Sequence, residues 1–332
     1  MTISAPASTD RPARLRATPS GVVCWTAVGL FGVLAVTRWL GFDGGTWPLV
    51  LVPAMTPYLT IAALVPVVTC LATRRWLAGT VAVAVLVALI AFVAPRGFGG
   101  PDPARGPVVR VMSANLKDGT ADPASVLDVV RSQHVDVLAV SELQNRELNR
   151  LLRSGVTDLL PYSVTNPSWS STGGTALFSR YPLSDGRAVP LLDYFVETAA
   201  VLRVPGAQPV ELTAVHYCAP VDPEQYRCWA YGKSRTPPAT PDGPVRLLLG
   251  DFNLTLDYGA LRDLLGTGYR DAADVLGRGF TTTWPYDGTP LPPVTIDHVL
   301  ADHRIGVTSL DAYPIRDSDH RALVATLTFP KA

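Results

Sequence analysis

The chain has 332 residues, of which 48% are hydrophobic and 17% charged, with Lys+Arg 28 balanced by Asp+Glu 28. Ordinary soluble domains carry about 25% charged residues, so part of this sequence is not of soluble type, and zero net charge excludes a polycation or polyanion. Four Cys are too few for a disulfide scaffold, and without CxxC spacing they do not make a zinc site.

The surplus hydrophobicity lies early. Residues 1–20 read as a cytoplasmic tail, followed by three apolar runs within 21–95: Gly21–Thr37, Pro48–Thr73 and Trp76–Pro95, each without a charge. Each meets or nearly meets the roughly 20 residues needed to cross about 30 Å of hydrocarbon. Trp25, Trp39, Trp47 and Trp76 sit near the ends, as interfacial rings do. Pro53, Pro57 and Pro66 predict a kinked second span. A cleaved signal peptide is the rival reading of the first run, but no small-x-small site follows it and two more runs do. With the N-terminus inside, Arg11, Arg14, Arg16, Arg74 and Arg75 are cytoplasmic and only Arg38 lies in the first outer loop. Arg96, Arg105 and Arg110 run against this, although a long translocated domain is often exempt from the charge rule. Three spans then place the rest of the chain outside.

Residues 96–108 are rich in Pro and Gly and read as a linker. Beyond them, Val108–Met112, Val135–Val140, Ala176–Phe178, Val210–Val215, Val245–Leu249 and Thr295–Leu300 are strand candidates. Asp122-Pro123 is an N-cap and N1 pair for a helix to about Gln133, and a second short helix is expected after Leu256-Asp257. Strands alternating with helices over about 220 residues predict one layered α/β domain over 109–330. Polar residues cluster where these strands end. Asn115 follows RVMSAN's apolar run, Glu142 follows VLAVS, and His216 ends ELTAVH. Asp251 and Asn253 stand in GDFN, Asp297 and His298 in IDH, and Asp319 and His320 in SDH. Such a rim of Asp, Asn, Glu and His suits a hard cation at a phosphate site, Mg²⁺ or Mn²⁺.

The ordered set N…E…ALFSRYP…H…GDFN…IDH…SDH resembles the endonuclease/exonuclease/phosphatase superfamily over nearly all of 109–330. The resemblance implies a four-layer sandwich of two mixed β-sheets flanked by helices, and metal-dependent hydrolysis of phosphoesters or pyrophosphates. It also implies that Glu142 is the principal metal carboxylate, Asn115 its neighbour and Asp319 a further carboxylate there. Asp251 would orient or deprotonate the attacking water and Asn253 hold phosphoryl oxygens. His320 would contact the phosphate, Asp297 would fix its tautomer, and His216 would donate to another phosphate oxygen. His298 alternates to the opposite face and reads as structural. His134 and His303 match no motif and read as solvent-exposed, and Arg180 reads as structural. Where the family often has Arg before the ID pair, this chain has Pro293-Val294-Thr295.

In an external domain Cys218 and Cys228 could form a disulfide beside His216; in a cytosolic one they would be separate buried thiols. Cys24 and Cys70 are expected to be small apolar residues within spans. Residues 107–330 hold 19 Lys/Arg against 25 Asp/Glu, a balance of −6, with no basic cluster. A polyanion groove normally shows a basic stripe, so nucleic acid is disfavoured as partner. Trp169, Tyr194, Phe195, Tyr217, Tyr226, Trp229, Trp284 and Tyr286 fall in expected loops, for packing or for contact with a bilayer. Three spans followed by this domain resemble membrane-anchored members of the family linked to teicoplanin resistance. That implies a cell-membrane location, a cell-wall role and a lipid-linked pyrophosphate substrate. A membrane-tethered nuclease and a non-catalytic binding domain are the alternatives.

Overall fold

The computed structural model describes residues 18–102, 104–169, 173–192 and 195–332; most of the expected cytoplasmic tail, with Arg11, Arg14 and Arg16, and Tyr194 lie outside the described residues. The first apolar run forms α1 (Pro19–Trp39), whose N-terminus the Thr18 hydroxyl caps by accepting from the Gly21 N–H at 3.3 Å. The second run is broken at its prolines, as a missing N–H demands. Short 3₁₀ turns at Leu49–Leu51 and Pro53–Met55 lead into α2 (Thr56–Ala62) and α3 (Leu64–Ala72). The Thr56 and Thr60 hydroxyls donate to carbonyls of this irregular stretch, Pro53 and Thr56, at 2.6 and 2.8 Å. The third run is α4 (Trp76–Val93). All three stretches are long and apolar enough to cross a membrane.

These helices pack through small residues such as Cys24, Cys70, Ala78 and Ala82, which allow close approach between apolar helices. Arg75 donates to the Ser20 hydroxyl at 3.0 Å, so the start of α1 and the α3–α4 turn share one end of the bundle. The α1–α2 connection and the end of α4 share the other, where the remaining chain docks.

The Pro/Gly stretch expected as a linker runs pinned along that domain. The Gly100 N–H donates to Val275 O at 3.0 Å, Asp102 N–H to Val307 O at 2.8 Å, and Phe329 N–H to Pro107 O at 2.9 Å.

The domain contains β1 (Val108–Asn115), α5 (Pro123–Ser132), β2 (Val137–Ser141), α6 (Asn145–Arg153), α7 (Val156–Leu159), β3 (Tyr162–Asn166), β4 (Thr175–Ser179), β5 (Leu183–Pro190), β6 (Val196–Leu202) and β7 (Val210–His216). It continues through α8 (Pro223–Arg235), β8 (Val245–Asp251), α9 (Gly259–Gly266), β9 (Tyr269–Asp271), α10 (Ala272–Val275), β10 (Asp297–Asp302), β11 (Gly306–Pro314) and β12 (Arg321–Thr328). Two six-stranded sheets result, ordered β11-β12-β1-β2-β4-β3 and β5-β6-β7-β8-β10-β9. Both are mixed, because β1–β2 and β7–β8 are parallel while their neighbours run antiparallel.

Strand alternation builds the layers. Val109 and Val111 of β1 face Leu212, Leu247 and Leu249 of the second sheet in a dry centre. Met112 and Ala114 face outward against Val126, Leu127 and Leu151 of α5 and α6. On the far side Leu248 and Val215 pack on Trp229 and Leu261 of α8 and α9. Helix, sheet, sheet, helix is the four-layer sandwich, and both parallel pairs end at the same rim. Gly250 lies at φ 151°, and a Cβ there would stand 1.9 Å from Val215 O, so β8 needs glycine beside β7 just before Asp251.

Candidate active site

Register does most of the positioning. Asn115 ends β1 opposite Ser141, the residue before Glu142, and His216 ends β7 opposite Asp251 at the end of β8. Asp297 opens β10 and pairs directly with Asp251. Like charges placed opposite each other cost stability, so this pair is tolerated for another reason. His320 immediately precedes β12, which returns beside β1.

The side chains meet in one buried cluster. Ligand-type atoms of Glu142, His216 and Asp251 lie within 4.8 Å of one another, as do those of Asp251, Asp297 and His320, so Asp251 joins the two groups. His216 Nε2 stands 3.8 Å from Glu142 Oε1, and His320 Nε2 stands 3.8 Å from Asp251 Oδ2. His320 Nδ1 is hydrogen-bonded to Asp297 Oδ2 at 2.8 Å. Asn115 Nδ2 bridges the carboxylates, donating to Glu142 Oε1 at 2.9 Å and Asp251 Oδ2 at 3.1 Å. The Asn253 N–H donates to Asp251 Oδ1 at 2.8 Å, and its Nδ2 donates to Tyr217 O, also at 2.8 Å. Asp319 belongs to neither group of close ligand atoms; it stands beside His320, with Oδ2 accepting from Trp284 Nε1 at 3.0 Å.

The profile of the Endonuclease/Exonuclease/phosphatase family matches residues 112–320. The chain belongs to that family. Its members are generally metal-dependent phosphoesterases. No curated protein sequence matches the chain. Similar solved structures include truncated Caenorhabditis elegans TDP2, with 17% identity, TM-score 0.50, and coverage of 67% of this chain and 98% of that one. D. rerio TDP2 complexed with single strand DNA product is another, at 13% identity, TM-score 0.51, and 67% and 99% coverage. An endonuclease/exonuclease/phosphatase from Beutenbergia cavernae aligns at 17% identity and TM-score 0.49, over 67% of this chain and 72% of that one. At these identities the likeness is one of fold.

The electrostatics of this family member's cluster follow from burial. Burial raises the Asp251 carboxyl to about 8, with Asp297 and Glu142 pushing it further and His320 opposing. Glu142 is raised by burial against the lowering effect of the Asn115 amide and the Asp118 N–H. Burial lowers the His320 imidazole, but the charge and hydrogen bond of Asp297, then Asp251 and Asp319, outweigh it and hold it up at about 10. Four carboxylates therefore share a low-dielectric space with two imidazoles.

A divalent cation fits this donor set. The buried Asp297 Oδ1 and Asp319 Oδ1 have no hydrogen-bond partner among the described residues. Such atoms are costly unless something satisfies them, and carboxylate oxygens with imidazole suit a hard or borderline cation.

Other expectations fall out as follows. His298 is buried, with Nδ1 on Asp271 Oδ2 at 2.7 Å and Nε2 on Leu254 O at 2.8 Å, a structural link on the face away from the cluster. His134 and His303 are exposed. Arg180 pairs with Asp136 at 2.9 Å near the surface. Cys218 and Cys228 are disulfide-bonded with Cα atoms 5.7 Å apart, tying the chain after His216 to α8; Cys24 and Cys70 are free and buried. Of the aromatics expected in loops, Tyr226 and Trp229 lie instead in α8; Tyr217 and Trp229 are core residues, whereas Trp169 and Tyr286 are exposed.

Sequence reasoning missed several contributors. Lys117, Asp118 and Gly119 form a left-handed turn (φ 43°, 53° and 69°) that aims the Asp118 N–H at Glu142 Oε2, 2.6 Å away. Trp284 grips Asp319, Thr283 Oγ1 accepts from the Asp297 N–H at 3.2 Å, and Phe195 packs on His216 with ring centroids 5.0 Å apart. The Asp-Gly pair at 118–119 was the one available signal, a turn signature. Glu142 and Asn253 also have positive φ (56° and 47°), and such strain gathers at functional sites.

Proposed function

We propose that the protein is a membrane-anchored, extracytoplasmic phosphohydrolase acting on a lipid-linked pyrophosphate of cell-wall synthesis, of the undecaprenyl pyrophosphate type. The observation that carries this reading is the path of the chain after Asp251. The loop holding Asp251 and Asn253 continues through Asp257, Tyr258 and Gly259, which bond to Arg96, Val50 and Asp43 at the domain-facing end of the apolar helices. This path supports a cluster held close to the bilayer surface, within reach of a phosphate headgroup. The −6 balance of residues 107–330 and their lack of a basic cluster disfavour nucleic acid. The Cys218–Cys228 bond suits an oxidising, external compartment. The order of three apolar helices and then this domain resembles VanJ, linked to teicoplanin resistance, and removal of carrier pyrophosphate outside the cell fits such a role.

The chemistry is in-line displacement by water at phosphorus. Glu142, Asn115 and Asp319 would hold Mg²⁺ or Mn²⁺, with Asp251 adjoining, and the ion would neutralise phosphate charge. Asp251, poised by burial near neutral pH, orients the water and takes its proton. His320, cationic at neutral pH and fixed through Nδ1 by Asp297, donates from Nε2 to a phosphoryl oxygen as negative charge grows. His216 donates to a second oxygen, and Asn253 borders the same space.

The test is phosphate release from a polyprenyl pyrophosphate by the full chain in detergent with Mg²⁺, with EDTA and His320→Ala controls. Release should need the metal and fall at least about a hundredfold in the variant. No release, with nicking of plasmid DNA by the same sample, would replace this reading with a tethered nuclease. Silence on both substrates would favour a binding domain.

A further inference from the structure

Between the apolar helices and the domain lies a cavity of about 380 Å³, within the size range of small-ligand sites. Pro57, Tyr58 and Ile61 of α2 form one wall, and Leu256, Phe280 and Val294 of the domain form the other. The charge at its edge is neutralised in place, because Arg96 is paired with Asp257 at 2.8 Å. The space is thus apolar, and one wall is a segment long and apolar enough to lie in a membrane.

The domain wall is built from chain segments that lead into the catalytic cluster. Leu256 lies in the loop that begins at Asp251. Thr295, also lining the cavity, precedes Asp297 by two residues, about 7 Å of extended chain. The intervening Thr283 hydroxyl accepts from the N–H groups of Ile296 and Asp297 at 3.1 and 3.2 Å. Thr282, another lining residue, accepts through its hydroxyl from Arg321, next to His320, at 3.0 Å. The Tyr58 hydroxyl donates to Pro293 O at 2.6 Å and so ties α2 to the same loop.

We propose that this cavity receives the phosphate-proximal part of a lipid substrate's hydrocarbon chain, so that a chain entering from the bilayer side along α2 delivers its headgroup to the cluster. This rests on the lipid-phosphate reading above and adds the site that selects the chain. Pro293, Val294 and Thr295 all line the cavity, and a wall without a charged group suits a hydrocarbon.

The test fills the cavity and compares substrates. Ile61→Trp should lower kcat/KM for a long-chain polyprenyl diphosphate about tenfold, through KM, equivalent to about 1.4 kcal/mol. It should leave kcat/KM for inorganic pyrophosphate, which carries no hydrocarbon chain, within about twofold. Val68→Trp, an equally bulky change at an exposed position of the neighbouring α3, should alter neither. A diazirine-bearing prenyl phosphate should label the 57–61 or 280–295 segment of the unmodified protein, and this labelling should be lost in Ile61→Trp. An unchanged long-chain rate, an equal fall on both substrates, or labelling confined to other segments would overturn the chain site while leaving the phosphohydrolase reading intact. Failure of the unmodified protein to hydrolyse any prenyl diphosphate would overturn both.

Discussion

The contact between the apolar helices and the domain is centred on a buried ion pair, and breaking it should weaken the docking without unfolding the domain. Arg96 donates from both terminal nitrogens to the two Asp257 oxygens at 3.0 and 2.8 Å, and both residues are almost fully buried. Asp257 also accepts from the Thr255 hydroxyl at 3.0 Å, and its backbone carbonyl accepts from Arg38 at 3.2 Å. Removing one partner of a buried pair typically costs 3–5 kcal/mol, roughly, because the other charge is left desolvated and unpaired. Taking about 3 kcal/mol for Asp257→Ala, the docked-to-undocked ratio should fall roughly a hundredfold. The reporters are the amides of Gly259 and Ala260, which donate across the junction to Asp43 at 2.6 and 2.9 Å. Their hydrogen exchange in detergent should accelerate about a hundredfold, while amides of Leu247–Leu249 in β8 keep their protection. Arg96→Met combined with Asp257→Leu should recover part of the loss, since no charge is then stranded. Unchanged exchange at Gly259 and Ala260 in Asp257→Ala would refute the reasoning. Equal acceleration in β8 would also refute it, by showing that the pair supports the domain's fold instead of its docking.

Two further expectations concern stability. Burial raises the Glu197 carboxyl from 4.5 to about 8, against a lowering hydrogen bond from the His216 backbone. Between those values the folded state keeps a proton that the unfolded state has lost, so stability should fall as pH rises from about 4.5 to about 8. The ceiling on that loss is about 5 kcal/mol; Glu197→Gln should flatten the profile of melting temperature against pH, and an unaltered slope would contradict the assignment. Reduction of Cys218–Cys228, which closes a separation of 10 residues, should cost about 2.5 kcal/mol, read as a lower melting temperature in dithiothreitol that Cys218→Ser/Cys228→Ser reproduces without reductant.

Much of the site was legible because its signals are local. GDFN, IDH and SDH mark the ends of β8, the start of β10 and the start of β12, and apolar runs beside polar residues are what a sheet rim produces. The Asp122-Pro123 pair announced α5, and three prolines announced the broken second helix. Strand β5 was not readable, because an exposed edge carrying Asp185 and Gly186 shows neither alternation nor an apolar run. Strand β12 was legible as a short apolar run, Ala322–Ala325, buried on both faces.

What the sequence by itself determined is therefore the chemistry at the rim and the presence of three apolar helices, since each depends on residues close together in the chain. Only the tertiary structure decided how those two parts meet. Arg96 finds Asp257 across 161 residues, and Asp43 reaches the first turn of α9 across 216. Gly259 can have no side chain because Gly41 O would lie 2.1 Å from its Cβ. Side-chain periodicity reports which face of an element is buried but not which distant element covers it, and that is set by packing of the folded chain.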